Sequence, residues 1–157
     1  MPGVMVRRFC ADDLLALMEV RRSAIRGVAS RHYTPAQIDA WVANSQDPIV
    51  QARRFGETTS TWVGFVGGFL AGFTNLGAAG YVDCMYVHAD YLRRGVASAL
   101  LSALEEEARR RGVASLHSEV SLTARPFFEA RGFVVVTPQK VTVSGQTYDN
   151  FKMEKRL

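Results

Sequence analysis

Leu92-Arg93-Arg94-Gly95-Val96-Ala97 is the stretch of this sequence best equipped to meet a ligand. Arg93 and Arg94 offer full positive charge and fork-shaped donors. Gly95 removes a Cβ where a bulky anion must approach the backbone, and Ala97 stays small for the same reason. A helix beginning here adds unpaired N–H groups and the positive end of its dipole. The matching guest is a phosphate or pyrophosphate. An ordinary strand-to-helix connection with a solvated arginine pair fits the same residues, and they leave both readings open. Asp83 is the second chemical group. It is a carboxylate inside an apolar run, costly there unless paired or functional.

Local pattern supplies the elements that carry these groups. Tyr81-Val82-Asp83-Cys84-Met85-Tyr86-Val87 is aromatic and β-branched with no helical period, so it reads as a buried strand. From Val96 onward Leu100, Leu104 and Ala108 form one helical stripe, with Ala97 and Leu101 beside it. Glu105→Arg109 and Glu106→Arg110 are i,i+4 pairs in the favoured order, and Gly112 supplies a left-handed stop. The unit is strand, basic glycine-containing turn, helix. By alternation Tyr81, Asp83, Met85 and Val87 share one face of the strand, and Val82, Cys84, Tyr86 and His88 the other.

No G-x-x-x-x-G-K-[ST] occurs, and no G-x-G-x-x-G follows a strand, which excludes two common phosphate loops. Val87-His88-Ala89-Asp90-Tyr91-Leu92-Arg93-Arg94-Gly95-Val96-Ala97 instead resembles the acetyl-CoA motif of the GNAT superfamily of N-acetyltransferases. That motif is a strand ending in Val-x-Pro, then Q/R-x-x-G-x-G/A at a helix start. Leu92 stands where Gln or Arg is usual, and Ala89 where Pro is common. Downstream, Ala124-Arg125-Pro126-Phe127-Phe128-Glu129-Ala130-Arg131-Gly132-Phe133 is similar to the family's second signature, A-x-x-F-Y-E-x-x-G-F.

The resemblance implies an α+β fold with a mixed sheet, ordered β-α-α-β-β-β-α-β-α-β-β, whose fourth and fifth strands splay around acetyl-CoA. By position, Met85, Tyr86 and Val87 would offer backbone groups to the pantetheine arm and the thioester. Leu92, Arg93, Arg94, Gly95, Val96, Ala97 and Ser98 would hold the pyrophosphate, and Ala124, Phe127 and Phe128 would line the thiol end. The implied activity is transfer of an acetyl group to a primary amine of a small molecule by direct attack. A protonated amine needs a proton acceptor, directly or through water. Asp83 is the first choice for it and Glu119 the second, with a hydrogen-bonded structural acid the alternative for each. The family's usual proton donor to the leaving thiolate, a Tyr, is Phe128 here. Tyr86, Tyr148 or water could take the role, or none is needed.

On the acceptor side, His32-Tyr33-Thr34-Pro35 and Trp41 resemble a bacterial subgroup assumed to act on small molecules, so Tyr33 and Trp41 are candidate substrate contacts. Packing of Trp41 and Ile38 between helix and sheet is the preferred reading of that pair. Two other functions compete: a non-catalytic acyl-CoA-binding or regulatory module, encouraged by Phe128, and a peptide or protein N-acetyltransferase.

The chain has 157 residues, 48% hydrophobic and 22% charged, which suits one folded domain over 1–157 and argues against disorder. A net charge of +4 suits anionic ligands without demanding nucleic acid. Cys10 and Cys84 form no C-x-x-C, and His32, His88 and His117 have no metal-ligand spacing, so neither a disulfide framework nor a metal site is expected. With no signal-peptide pattern and no apolar run of spanning length, a cytoplasmic protein without membrane partners is expected. A homodimer is left open.

Turn chemistry sets the remaining boundaries. Val4 to Phe9 reads as a first strand, and Asp12 or Asp13 starts a helix through Ile25. Thr34-Pro35-Ala36-Gln37 is a capping-box start. Residues 49 to 57 read as a short helical or irregular connection. Thr61–Val66 and Phe69–Leu76 form a hairpin on Gly67-Gly68, with Gly64 and Gly72 as bulge candidates. Ala114–Val120 is a fifth strand and Leu122–Arg131 a short helix. Phe133–Val143 and Gln146–Glu154 close the chain as a hairpin around Ser144-Gly145.

Overall fold

A computed structural model describes residues 3–157. Strand β1 (Val4–Arg8) leads through a short turn into α1 (Leu14–Gly27), then α2 (Pro35–Ala43) and α3 (Pro48–Arg53). Strands β2 (Ser60–Val66), β3 (Phe69–Leu76) and β4 (Val82–Val87) precede the long helix α4 (Val96–Arg110). The chain ends with β5 (Ser115–Ser121), α5 (Arg125–Ala130), β6 (Val134–Val143) and β7 (Gln146–Arg156). The expected order holds, and the connection at 49–57 resolves into α3 and a wide helical turn over Arg54–Thr58.

Local signals act as their chemistry dictates. The Thr34 hydroxyl accepts from the Gln37 amide at 3.2 Å, while the Gln37 side chain accepts from the Thr34 amide at 2.8 Å. Gly67 and Gly68 both take positive φ in the β2–β3 turn, as do Ser144 and Gly145 between β6 and β7. Glu105 and Glu106 meet Arg109 and Arg110 one turn on.

The strands of the described residues divide into two antiparallel sheets, β1-β2-β3-β4 and β5-β7-β6. A parallel bridge, Tyr81 to His117, joins them. The Ser118 hydroxyl donates to the Val82 carbonyl at 2.7 Å and the His117 ring packs on Tyr81, closing the base of the split. Beyond that point β4 and β5 separate, leaving the β5-facing edge of β4 without a strand partner.

Helix α4 buries Val96, Leu100, Leu101, Leu104 and Ala108 against one side of the first sheet. Leu17 and Val20 of α1 pack with Val63 and Phe73 on the other side. The glycines in β2 and β3 serve this packing. Gly64 pairs with Gly72, and a Cβ on Gly72 would lie 2.7 Å from Val96 Cγ1 and 2.9 Å from the Tyr86 carbonyl oxygen. The bulge nearby comes from the register, with Leu70 paired to Phe65 and Gly72 to Gly64. Gly72→Ala is therefore expected to cost about 2–3 kcal/mol by overpacking, a fall in Tm of about 4–12 °C in a thermal melt.

Face alternation along β4 does not follow the sequence expectation. Asn75 pairs with Cys84 and Leu76 with Val82, so Asp83 is an extra residue in the ladder. Val82 consequently joins Met85 and Val87 on the α4 side, whereas Cys84 and Tyr86 pack on the α1 side. The Asn75 side chain accepts from the Cys84 amide at 2.8 Å and donates to Asp83 at 2.7 Å, filling the bonds the bulge leaves open. Burial, with the Asp83 charge beside it, pushes the Cys84 thiol up to about 12, so it stays protonated as packing material.

Candidate active site

The split between β4 and β5 opens into a cleft of about 750 Å³. Its floor includes Met85, Tyr86 and Val87, its far wall Ala124, Phe127 and Phe128, and one end the turn into α4. At that end Arg93 has φ 60° and Gly95 φ 81°, and Gly95 precedes the first turn of α4. A Cβ built on Gly95 meets no atom within 4 Å, so the space over the helix start is free. Leu92, Arg93, Val96, Ala97 and Ser98 also border the cleft. Positive dipole end, free amides and open approach together suit a diphosphate.

Arg94, expected beside Arg93, lies over the ring of Tyr91, a residue of the cleft lining, at 5.6 Å. A further cation stands on the lining. Arg131, at the end of α5, lines the cleft, hydrogen-bonds the Ser98 hydroxyl and packs over Phe127. It sits within the second sequence signature, two residues after Glu129, yet nothing in its local pattern distinguishes it from a helix-ending arginine. Ala89, where the related motif carries Pro, uses its amide: that N–H donates to the Ser23 hydroxyl of α1 at 3.0 Å. A proline could not make this bond.

Both acids proposed from sequence border the cleft, in contrasting states. Asp83 is held by a bidentate pair with Arg54, at 2.8 and 2.7 Å, and by Asn75. Its side chain is only 15% exposed. Glu119, on β5, is exposed, and no described side chain donates to it. Its cross-strand neighbour on β7, Lys152, is exposed too and is not ion-paired with it. Burial and the nearby Glu119 charge push the Tyr81 phenol up to about 12, keeping it neutral.

A second cavity, of about 180 Å³, lies on the α2 side of the second sheet. Tyr33, Trp41 and Tyr148 line it and touch one another, with ring centroids 5.6 to 6.0 Å apart. Trp41, Glu119 and Ser121 border both cavities, so these two spaces meet there. Tyr148 lines this second cavity, and its hydroxyl donates to the Gln37 carbonyl at 2.6 Å. Tyr33 likewise donates to the Asp149 carbonyl at 2.7 Å. Tyr86 differs. Its oxygen accepts from the Trp41 indole N–H at 3.2 Å, and its own hydrogen has no acceptor among the described residues. Burial raises its pKa well above the ordinary tyrosine value. Phe128 is buried against Phe127 and Phe133 in T-shaped contacts, part of the core as well as of the wall.

Residues 29–157 match the family described as Acetyltransferase (GNAT) domain. The chain belongs to the GNAT acetyltransferase family. Over 156 residues it is 33% identical to Uncharacterized N-acetyltransferase YafP of Escherichia coli (strain K12), covering 98% of this chain and 96% of that one. A GCN5-related N-acetyltransferase structure from Rhodopseudomonas palustris superposes with a TM-score of 0.95 at 29% identity, covering 100% and 98% of the two chains. The PaiA N-acetyltransferase of Thermoplasma acidophilum, solved with coenzyme A, has the same fold, with a TM-score of 0.79 at 19% identity and 99% of each chain covered. The GNAT fold thus accounts for the paired sheets and the split between them. No helix among the described residues is long and apolar enough to cross a membrane.

Proposed function

We propose that this GNAT protein transfers the acetyl group of acetyl-CoA to a primary amine of a small molecule, with Glu119 as proton acceptor and Tyr86 as proton donor. The observation that carries the reading is the meeting of the cleft and the aromatic cavity at Trp41 and an unpaired Glu119. The residues present fit the donor: the α4 amides, Arg93 and Arg131 suit its diphosphate, and the open β4 edge suits an amide-containing arm. Bound there, acetyl-CoA supplies the thioester acyl group, and the amine takes it up as coenzyme A is released.

The protein's own part is proton handling and positioning. Glu119, exposed and uncommitted, takes a proton from the incoming ammonium, directly or through water. Backbone N–H groups on the free edge of β4 are available to polarise a carbonyl. Tyr86 borders the cleft, its oxygen held by the Trp41 indole N–H and its phenol kept protonated by burial. It offers the role that Phe128 cannot fill. Asp83 we assign to structure: its carboxylate fixes Arg54 and the β4 bulge.

Release of free thiol from acetyl-CoA, measured against a panel of small amines and peptides, tests the activity. Amine-dependent release supports it; tight acetyl-CoA binding with no release on any acceptor would favour a binding module. Tyr86→Phe is expected to lower kcat about 10- to 100-fold with acetyl-CoA affinity unchanged. Tyr148→Phe, losing a single hydrogen bond, should cost about 1 kcal/mol of stability and leave kcat intact. Asp83→Asn should appear in the melting curve, as a loss of about 2 kcal/mol from an Arg54 left without its anion. A large kcat defect in a normally stable Asp83→Asn protein would return the base to Asp83.

A further inference from the structure

The second cavity limits what the acceptor can be; the inference rests on reading the neighbouring cleft as the acetyl donor site. Its wall is aromatic and aliphatic on the side of Tyr33, Trp41 and Tyr148, with Asn44, Ser121 and Asn150 as neutral polar groups on the lining. Tyr33 and Tyr148 spend their hydroxyls on the carbonyls of Asp149 and Gln37, so they present ring surface to the space. Val141 and Val143 of β6 face them. Glu119, at the junction with the cleft, is the one charged residue on the lining among the described residues.

Among the described residues, no lysine or arginine lines this cavity. The cations of the cleft stand at the α4 end, where Arg131 is bonded to Ser98. Lys140 on β6 is committed to Asp149 at 2.7 Å. A carboxylate or phosphate on the acceptor would therefore face Glu119 with no cation on the lining to balance it, which is unfavourable. A second ammonium, as on a polyamine, would lack an anion, since Asp149 is already paired. The space suits a ring-sized body. An apolar cavity of about 150 Å³ can hold a benzene ring, and this one is about 180 Å³.

We infer that the acceptor is a compact monoamine without an acidic group, its ring-sized apolar body against the Tyr33–Trp41–Tyr148 wall and its ammonium at Glu119.

A matched pair of probes separates this from other acceptors. 2-Phenylethylamine and phenylalanine share a body and differ by the carboxylate. Acetylation of each, with spermidine and a lysine-containing peptide, is followed by thiol release, while acetyl-CoA binding is measured separately by calorimetry. The expected result is a kcat/KM for 2-phenylethylamine about 100-fold above that for phenylalanine and above the other two. Val143→Phe, which fills the cavity, should abolish that turnover and leave acetyl-CoA affinity unchanged. Phenylalanine, spermidine or peptide used as well as 2-phenylethylamine would overturn the inference, phenylalanine by implicating Lys152. Normal acetyl-CoA binding with none of the four acetylated would overturn it while leaving the donor site standing. Loss of acetyl-CoA binding itself would remove the donor site and the inference with it.

Discussion

Glu119→Gln should lower kcat/KM for the acceptor amine about 100- to 1,000-fold at pH 7 while acetyl-CoA binds as before. The substitution keeps the shape of the side chain and removes its ability to accept a proton. Glu119 lies on β5 where both cavities meet and has no structural partner to lose, so stability should stay within about 0.5 kcal/mol of the wild type. The pH profile adds a sharper criterion. An alkylamine has a pKa near 10, like lysine, so most of it is protonated at neutral pH. As pH rises towards that value the acceptor arrives already deprotonated, and the variant's deficit should shrink. A deficit constant from pH 7 to 10 would mean that Glu119 only holds the substrate.

Gly95→Val should weaken acetyl-CoA binding about 100-fold. Gly95 sits at φ 81°, and its vacant Cβ position faces open space over the first turn of α4. A β-branched side chain disfavours that conformation by roughly 1–2 kcal/mol and intrudes where the diphosphate approaches the amides. Both effects fall on the ligand site, because the residue has no packing neighbours to disturb. Arg131→Ala, which removes one charge and leaves the amides in place, should cost less, about tenfold. Unchanged affinity in Gly95→Val would show that the anion does not bind at this helix start.

How much of this was legible in the sequence depended on the range of the interaction. Features set by neighbouring residues were readable: the Thr34-Pro35 cap, the Gly67-Gly68 and Ser144-Gly145 turns, and the amphipathic stripe of α4. The split between β4 and β5 came only through resemblance to a family, since no composition rule separates paired strands from parted ones. Features set by distant partners were hidden. The Asp83 bulge inverts the face of Val82, and it depends on Asn75 and on Arg54, 29 positions away. Alternation alone therefore misassigned that face and left open whether Asp83 is paired or free. Arg94 and Arg131 differ in where their long side chains find partners, which spacing along the chain does not encode. Tyr86 and Trp41, 45 positions apart, are joined only once α2 docks.

A crystal structure of the protein grown with coenzyme A would probe the central claim most directly. The diphosphate should lie within hydrogen-bonding distance of the amides that follow Gly95, with the pantetheine arm along the open edge of β4 and the sulfur near Tyr86 and Glu119. Coenzyme A bound outside the β4–β5 cleft, or a diphosphate away from the start of α4, would contradict the account.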